Sequence, residues 1–262
     1  MSDAAYLRTV PERIRTERPQ TVYGTRAKLG LIVPPTNTAN EAEWAQMVPE
    51  GVTVHVVRMP LHTDTESEEG RSSLYSDVER AASDLVQASV DVIAYGCTAG
   101  SMTSPMTAIC EFVTGISSVP AVTTAASLVN ALRVLGASSV ALATPYHDAL
   151  NEHERAFLGA NGIEVVAMSG LGIGANGPDE YVRIARVPLD EVKRHALAVD
   201  RSDAQALIIS CTDFATLPLI AELEQEIGKP VVTSNQATFW ATLRAAGVDD
   251  RFEHFGTLLA TY

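Results

Sequence analysis

Two cysteines set the chemistry this chain can do. Cys97 lies in Asp91-Val-Ile-Ala-Tyr-Gly-Cys-Thr-Ala-Gly-Ser101, and Cys211 has a matching setting in Ala204-Gln-Ala-Leu-Ile-Ile-Ser-Cys-Thr-Asp-Phe-Ala-Thr216. Each follows a short apolar run that reads as a buried strand, and each precedes a threonine. A thiolate is the most nucleophilic side chain near neutral pH, and a thiol with a reference pKa of about 8.5 is also a usable proton donor. Thiols on opposite faces of a small substrate can take a proton from one side and return one to the other. Alternatively, one adds to carbon while its partner supplies a proton. The backbone N–H groups after each cysteine, where a helix begins, and the Thr98 and Thr212 hydroxyls suit an anionic oxygen, so a carboxylate is the favoured ligand.

The elements carrying these residues decide whether the thiols meet. Residues 29–33 read as a buried parallel strand stopped by Pro34-Pro35, with Thr38 or Asn40 placed to cap a helix over 41–47. A strand over 52–57, a helix over about 74–88 and a strand over 92–95 then bring Cys97 to a strand's carboxyl end. A helix near 106–113, a short strand at 119–124 and a helix closed by Gly136 follow.

The arrangement then restarts. Pro34 and Pro145 are 111 positions apart, Cys97 and Cys211 114, Pro120 and Pro230 110, and Gly136 and Gly247 111. A near-constant offset at four landmarks indicates an internal duplication. Alternating strands and helices make an α/β protein with a parallel sheet in each half. Ligands of such sheets sit outside the carboxyl ends of the strands, where both Cys-Thr pairs fall. Halves related by a pseudo-twofold axis would put both thiols in one cleft. The expected organisation is an N-terminal extension over 1–27, a first lobe from 28–120 with 232–262, and a second lobe over 121–231.

Composition narrows the class. At 262 residues with 46% apolar and 19% charged residues, the chain can bury a sizeable core. A formal charge of −13 without a Lys/Arg cluster excludes a nucleic-acid partner. The start lacks a signal peptide's basic and apolar regions and no segment suits a bilayer, so a cytoplasmic location and no membrane partner are expected. Three cysteines, Cys97, Cys110 and Cys211, point to reduced thiols rather than a disulfide framework. The polar stretch with Arg8, Arg13, Arg15, Arg18 and Arg26 reads as an extension lying on the surface or on a partner subunit.

Several residues carry plainer readings. Cys110, on an apolar helical face with Ile109, Phe112 and Val113, reads as core. Asn37 can cap the following helix, and Tyr146 can pack at the sheet edge or bind ligand. His147 and His153 lack metal-ligand spacing, so surface or capping roles and no metal are expected. Residues 172–177, rich in glycine, read as a loop rather than a phosphate cradle. The acidic run over 64–69 reads as a solvated loop or a lid over the cleft.

Cys97-Thr98 and Cys211-Thr212 on a duplicated α/β chain resemble the aspartate/glutamate racemase superfamily. Gly30-Leu-Ile-Val-Pro-Pro-Thr-Asn-Thr38, Tyr95-Gly-Cys-Thr-Ala-Gly-Ser101, Ala143-Thr-Pro-Tyr146 and Ser210-Cys-Thr212 look like its maleate cis-trans isomerase and arylmalonate decarboxylase branch, across roughly residues 28–250. The resemblance implies two flavodoxin-like lobes with the site between them, no cofactor, a small carboxylate or dicarboxylate substrate, and a homodimer or higher assembly. It implies that Cys97 adds to a double bond to form a succinyl-like intermediate while Cys211 donates a proton. Asn37, Tyr146 and Asn176 match residues that bind substrate. Decarboxylases of the branch lack the first cysteine, so Cys97 counts against decarboxylation.

Two departures stand out. Asp213 occupies a position where isomerases tend to carry Asn, and an acid there can raise the pKa of the neighbouring thiol or act as a base. Pro34-Pro35-Thr36 is closer to the decarboxylase pattern. Maleate-type isomerisation is therefore the leading expectation. A two-cysteine racemase or epimerase of an amino-acid derivative, a decarboxylase of a substituted malonate and a non-enzymatic sensor of a small carboxylate stay open.

Overall fold

The computed structural model describes residues 21–65 and 67–262. Residues 1–20 of the expected N-terminal extension lie outside these residues; the rest leads into the first strand, where Arg26 pairs with Asp250.

The described residues form two four-stranded sheets in which every pairing is parallel. In the first, β1 (Ala27–Val33), β2 (Val52–Arg58), β3 (Val92–Tyr95) and β4 (Ala121–Thr123) are ordered β2-β1-β3-β4. In the second, β5 (Ser139–Tyr146), β6 (Glu164–Ile173), β7 (Ala206–Ile209) and β8 (Val231–Thr233) repeat that order as β6-β5-β7-β8. The sequence explains the placement. Strands β3 and β7, VIAY and ALII, are apolar on both faces, as strands covered from both sides must be. The edge strand β2, VTVHVVR, alternates and stays partly exposed.

Strand pairing corrects the expected lobe limits. A boundary at 120/121 removes β4 from the first sheet, although Ile93, Ala94 and Tyr95 of β3 pair with Ala121, Val122 and Thr123. A boundary at 231/232 likewise cuts through β8, which pairs with β7. The chain passes between lobes after these short strands, within Val-Thr-Thr and Val-Thr-Ser. The threonine of each acts as a helix N-cap. Thr123 accepts the Ala126 N–H at the start of α4 (Thr124–Leu135), and Thr233 accepts the Gln236 N–H at the start of α8 (Ser234–Ala245), where Gln236 completes a capping box.

Helices α4 and α8 pack on each other between the sheets, and every residue of α8 except Arg244 is buried. Alanines at 125, 126 and 131 of α4 and at 237, 241 and 245 of α8 allow the close approach, and Thr238 donates to the Thr124 hydroxyl at 3.0 Å. Helix α8 also reaches the first lobe. Trp44 of α1 (Asn40–Met47) meets Phe239 edge to face with centroids 5.3 Å apart and donates its indole N–H to the Asn235 carbonyl at 3.1 Å. Such a buried tryptophan contributes most to one shared core, and Trp44→Ala would cost about 3–5 kcal/mol.

Helix α2 spans Glu68–Gln87 and starts six residues before the expected position. Ser67 caps it by accepting the Gly70 N–H at 3.0 Å, and Glu68 and Glu69 fall in its first turn, where the helix dipole favours carboxylates. The last two of the six residues of the acidic run are therefore helix. Helices α3 (Ala108–Ser117), α5 (Asp148–Ala160), α6 (Leu189–Val199), α7 (Ile220–Ile227) and α9 (Gly256–Thr261) complete the layers. Among the described residues no helix is long and apolar enough to cross a membrane.

Candidate active site

The carboxyl ends of both sheets open on one cavity of about 390 Å³, lined by Asn37, Cys97 and Thr98 from the first lobe and by Tyr146, Cys211, Thr212 and Asp213 from the second. Each cysteine stands two residues past its strand, β3 or β7, so the repeated strand places both sulfurs at the same depth. The backbone on both sides of Cys97 requires glycine. A Cβ on Gly96 would sit 2.6 Å from Asn40 Nδ2, and one on Gly100 would strike the Tyr95 hydroxyl and lie 3.1 Å from the Cys97 sulfur. Cys211 carries its own constraint, φ of +89°, a left-handed conformation that costs a non-glycine residue on the order of 1–3 kcal/mol. Ser234 offsets part of this by accepting the Cys211 N–H at 3.0 Å.

The thiols are free and nearly covered, 7% exposed at Cys97 and 8% at Cys211. Burial disfavours a charged thiolate and pushes the Cys97 thiol up, while the Gly100 N–H, 3.4 Å from the sulfur, and the Tyr95 hydroxyl pull it down. Burial acts on Cys211 as well. The Tyr146 hydroxyl and the Asp213 N–H oppose it, the Asp213 charge adds to it, and the thiol rises to about 12. Each sulfur thus accepts a tyrosine hydroxyl, and burial drives both phenols well above their usual range.

The threonines tie the lobes together. Thr98 shares a 2.9 Å hydrogen bond with Ser234, the residue that holds the Cys211 N–H. Thr212 donates to the Gly96 carbonyl at 3.0 Å and accepts from Asn37 Nδ2 at 3.0 Å. Asn37 is also the cap of α1, because its side-chain oxygen accepts the N–H groups of Ala39 and Asn40 at 3.2 and 3.0 Å. Thr38 and Asn40, the expected caps, do not serve through their side chains. Asp213 reaches the same helix start, where Oδ1 accepts from Thr38 N–H at 2.7 Å and from Ala39 N–H at 3.3 Å. Burial raises the Asp213 carboxyl to about 6 against these bonds and the Arg58 charge.

Asn176 is the one sequence candidate that the structure keeps apart. It is exposed in the turn after β6, donating to Glu180 Oε1 at 3.0 Å, and does not line the cavity. Strand β6 runs to Ile173, and the glycine-rich turn after it packs at Gly174 against Tyr181 and His147.

Other residues also surround the cavity. His147 and His153, expected at the surface or as caps, and Tyr181 border the cavity, as do residues 61–65, of which 64 and 65 begin the acidic run. Behind Cys211, Glu154 of α5 is 1% exposed and accepts the Ser210 hydroxyl at 2.6 Å, and burial raises its carboxyl to about 7. Glu43 of α1 accepts Thr216 N–H, Leu217 N–H and Asn235 Nδ2, a buried latch between lobes. Among the described residues no cluster of three or more His, Cys, Asp or Glu side chains could hold a metal ion.

Such an arrangement can add a thiolate to a substrate carbon from one face and deliver a proton from the other, or exchange protons at one centre. Known proteins share the architecture. A family model described as arylmalonate decarboxylase matches residues 29–259. The maleate isomerase of Nocardia farcinica is 30% identical over 245 residues, covering 88% of this chain and 95% of its own. The arylmalonate decarboxylase of Bordetella bronchiseptica is 28% identical, covering 84% and 90%. A solved structure of a cysteine-to-serine mutant of the Nocardia farcinica maleate cis-trans isomerase, with a covalently bound succinylcysteine intermediate, superposes with a TM-score of 0.77 at 27% identity, covering 90% and 99%. The chain belongs to the arylmalonate decarboxylase family, in the branch it shares with the maleate isomerases.

Proposed function

We propose that this enzyme isomerises a small cis-unsaturated dicarboxylate of the maleate type to its trans isomer without a cofactor, with Cys97 as nucleophile and Cys211 as acid. The observation that carries the reading is the pairing of two tyrosine-bonded thiols in one cavity. The succinylcysteine intermediate of the Nocardia relative supports covalent addition.

The Cys97 thiolate forms a C–S bond to one alkene carbon, and the π electrons move to the neighbouring carbon as a carboxylate-stabilised carbanion. That carbon takes the proton from the Cys211 sulfur, leaving a succinyl thioether and a Cys211 thiolate. The former double bond is now single and rotates. The Cys211 thiolate removes a proton from the same carbon, the C–S bond breaks, and the electron pair returns to Cys97. No atom is gained or lost over the cycle. A thiol held at about 12 keeps its proton at neutral pH, and its conjugate base is strong enough to draw a proton from carbon. Asn37 Nδ2 and the backbone N–H groups after each cysteine are the donors proposed for the substrate carboxylates, with Tyr146 beside them.

Proton NMR of the protein with maleate in deuterated buffer tests the reading. Fumarate should appear, and Cys97→Ala should abolish it. In Cys211→Ser, which retains the nucleophile and weakens the acid, intact-protein mass spectrometry should find a substrate-mass adduct on Cys97. Deuterium exchange at the stereocentre of an amino-acid derivative, with no action on maleate, would favour the racemase instead. Carbon dioxide release from a substituted malonate would favour the decarboxylase.

A further inference from the structure

The two thiols share a tyrosine, a backbone N–H and a following threonine, and they differ in the charge carried by the residue after that threonine. Tyr95 donates to Cys97 and Tyr146 to Cys211; the backbone N–H of Gly100 reaches one sulfur and that of Asp213 the other, each at 3.4 Å. Both cysteines precede a threonine that bonds to the opposite lobe. The next residue is Ala99 in the first turn and Asp213 in the second. We propose that Asp213 is the positioning residue that assigns the proton-donor role to Cys211, its fixed carboxylate opposing loss of that proton, whereas the methyl group of Ala99 places no charge beside Cys97. The inference rests on the assignment of Cys97 as nucleophile and Cys211 as acid.

The geometry keeps the charge in place. Oδ1 of Asp213 is clamped by the N–H groups of Thr38 and Ala39 from the other lobe. Oδ2 is buried without a hydrogen-bond partner, and the residue is 6% exposed. A carboxylate with so little solvent around it acts strongly on its neighbours. A negative charge beside a thiol opposes loss of its proton. The same charge makes the Cys211 thiolate a stronger base once the proton has gone, which favours its return from the substrate carbon.

Other charged and titratable groups face this corner. Tyr146 of β5 donates to the sulfur, and Cys97 lies across the cavity with Tyr181. Arg58 of β2 is the cation acting on Asp213, and it is already engaged by Glu41 at 2.9 Å and the Asn37 carbonyl at 3.1 Å. Glu154 stands behind Ser210, and Glu43 is occupied by three donors farther along the turn. Neither reaches the sulfur by hydrogen bond. Asp213 is therefore the acid attached directly to the thiol's own turn.

Thiol reactivity tests this without any substrate. The full chain is treated with iodoacetamide from about pH 6 to about pH 10, and peptide mass spectrometry follows each cysteine, because only the thiolate alkylates. In the wild type, Cys97 should alkylate with a lower midpoint than Cys211. Asp213→Asn retains an oxygen for Thr38 and Ala39 and removes the charge. It should raise Cys211 alkylation near pH 8 by about tenfold, equal to one pH unit, with Cys97 changed by less than about twofold. Ala99→Asp provides the reciprocal case and should slow Cys97.

A Cys211 profile unchanged in folded Asp213→Asn overturns the proposal, as does a wild-type Cys211 that ionises as readily as Cys97. Maleate turnover, measured on the same samples, separates the two claims. Turnover with no alkylation shift refutes only the role of Asp213, whereas the shift without turnover supports that role and refutes only the maleate assignment.

Discussion

Thr212 donates its hydroxyl hydrogen to the carbonyl oxygen of Gly96 at 3.0 Å, so the second Cys-Thr turn is fastened to the residue before Cys97. The same hydroxyl accepts from Asn37 Nδ2. This residue thereby sets the spacing of the two thiols. Thr212→Val would strand a buried carbonyl and a buried amide, costing about 1–3 kcal/mol. Denaturant titration should show that loss, and kcat should fall about tenfold or more as the sulfurs lose register. Thr212→Ser should recover most of both. A valine variant as stable and active as the wild type would remove the fastening role.

The two asparagines should behave differently. Asn37 caps α1 and holds Thr212, so Asn37→Ala should cost about 1 kcal/mol or more and also raise KM or lower kcat. Asn176 bonds Glu180 outside the cavity. Asn176→Ala should leave steady-state constants for maleate within about twofold of the wild type, because surface substitutions away from such features change little. A KM rise confined to Asn176→Ala would return that residue to the site.

Glu154 makes stability depend on pH. Its folded-state carboxyl sits at about 7, above the ordinary value of 4.5, so the folded protein binds this proton more tightly than the unfolded chain. Stability from this group is fully present below the unfolded value and is lost as pH rises from about 4.5 to about 7. With Oε2 buried and without a partner, ionisation leaves a poorly compensated charge. The loss is of order 3 kcal/mol. Unfolding followed at pH 5 and pH 8 should therefore show a fall in wild type that is much smaller in Glu154→Gln. Parallel curves for the two proteins would rule the effect out.

The sequence displays the fold and the thiols because both repeat. A strand ending in Cys-Thr recurs at 114 positions, and apolar runs such as ALII fit strands covered on both faces. Ser234 escapes notice because its contact with Cys211 depends on where α8 docks, a long-range relation that no local period encodes. Glu154 left a faint signal. Asn151, Glu154, Phe157 and Leu158 share one buried helical face, and polar members of such a face mark an inward-pointing group. Asn176 sits in a glycine-rich turn after β6, and its bond to Glu180 depends on side-chain placement that no sequence period encodes.

The two tyrosines should separate the two chemical roles. Tyr95 donates to Cys97 and lowers the thiol's pKa, so Tyr95→Phe should make that thiolate harder to form. In kcat/KM for maleate against pH, which reports groups of the free enzyme, activity should rise as Cys97 ionises, and Tyr95→Phe should move that rise to higher pH. Tyr146 donates instead to Cys211, whose thiolate appears only after the proton has moved to carbon. Tyr146→Phe should leave the rise in place and lower kcat by about 10²–10³, the usual loss for one donor aimed at developing charge. The reverse pattern, with the pH limb following Tyr146 and the rate following Tyr95 alone, would exchange the nucleophile and the acid between Cys97 and Cys211.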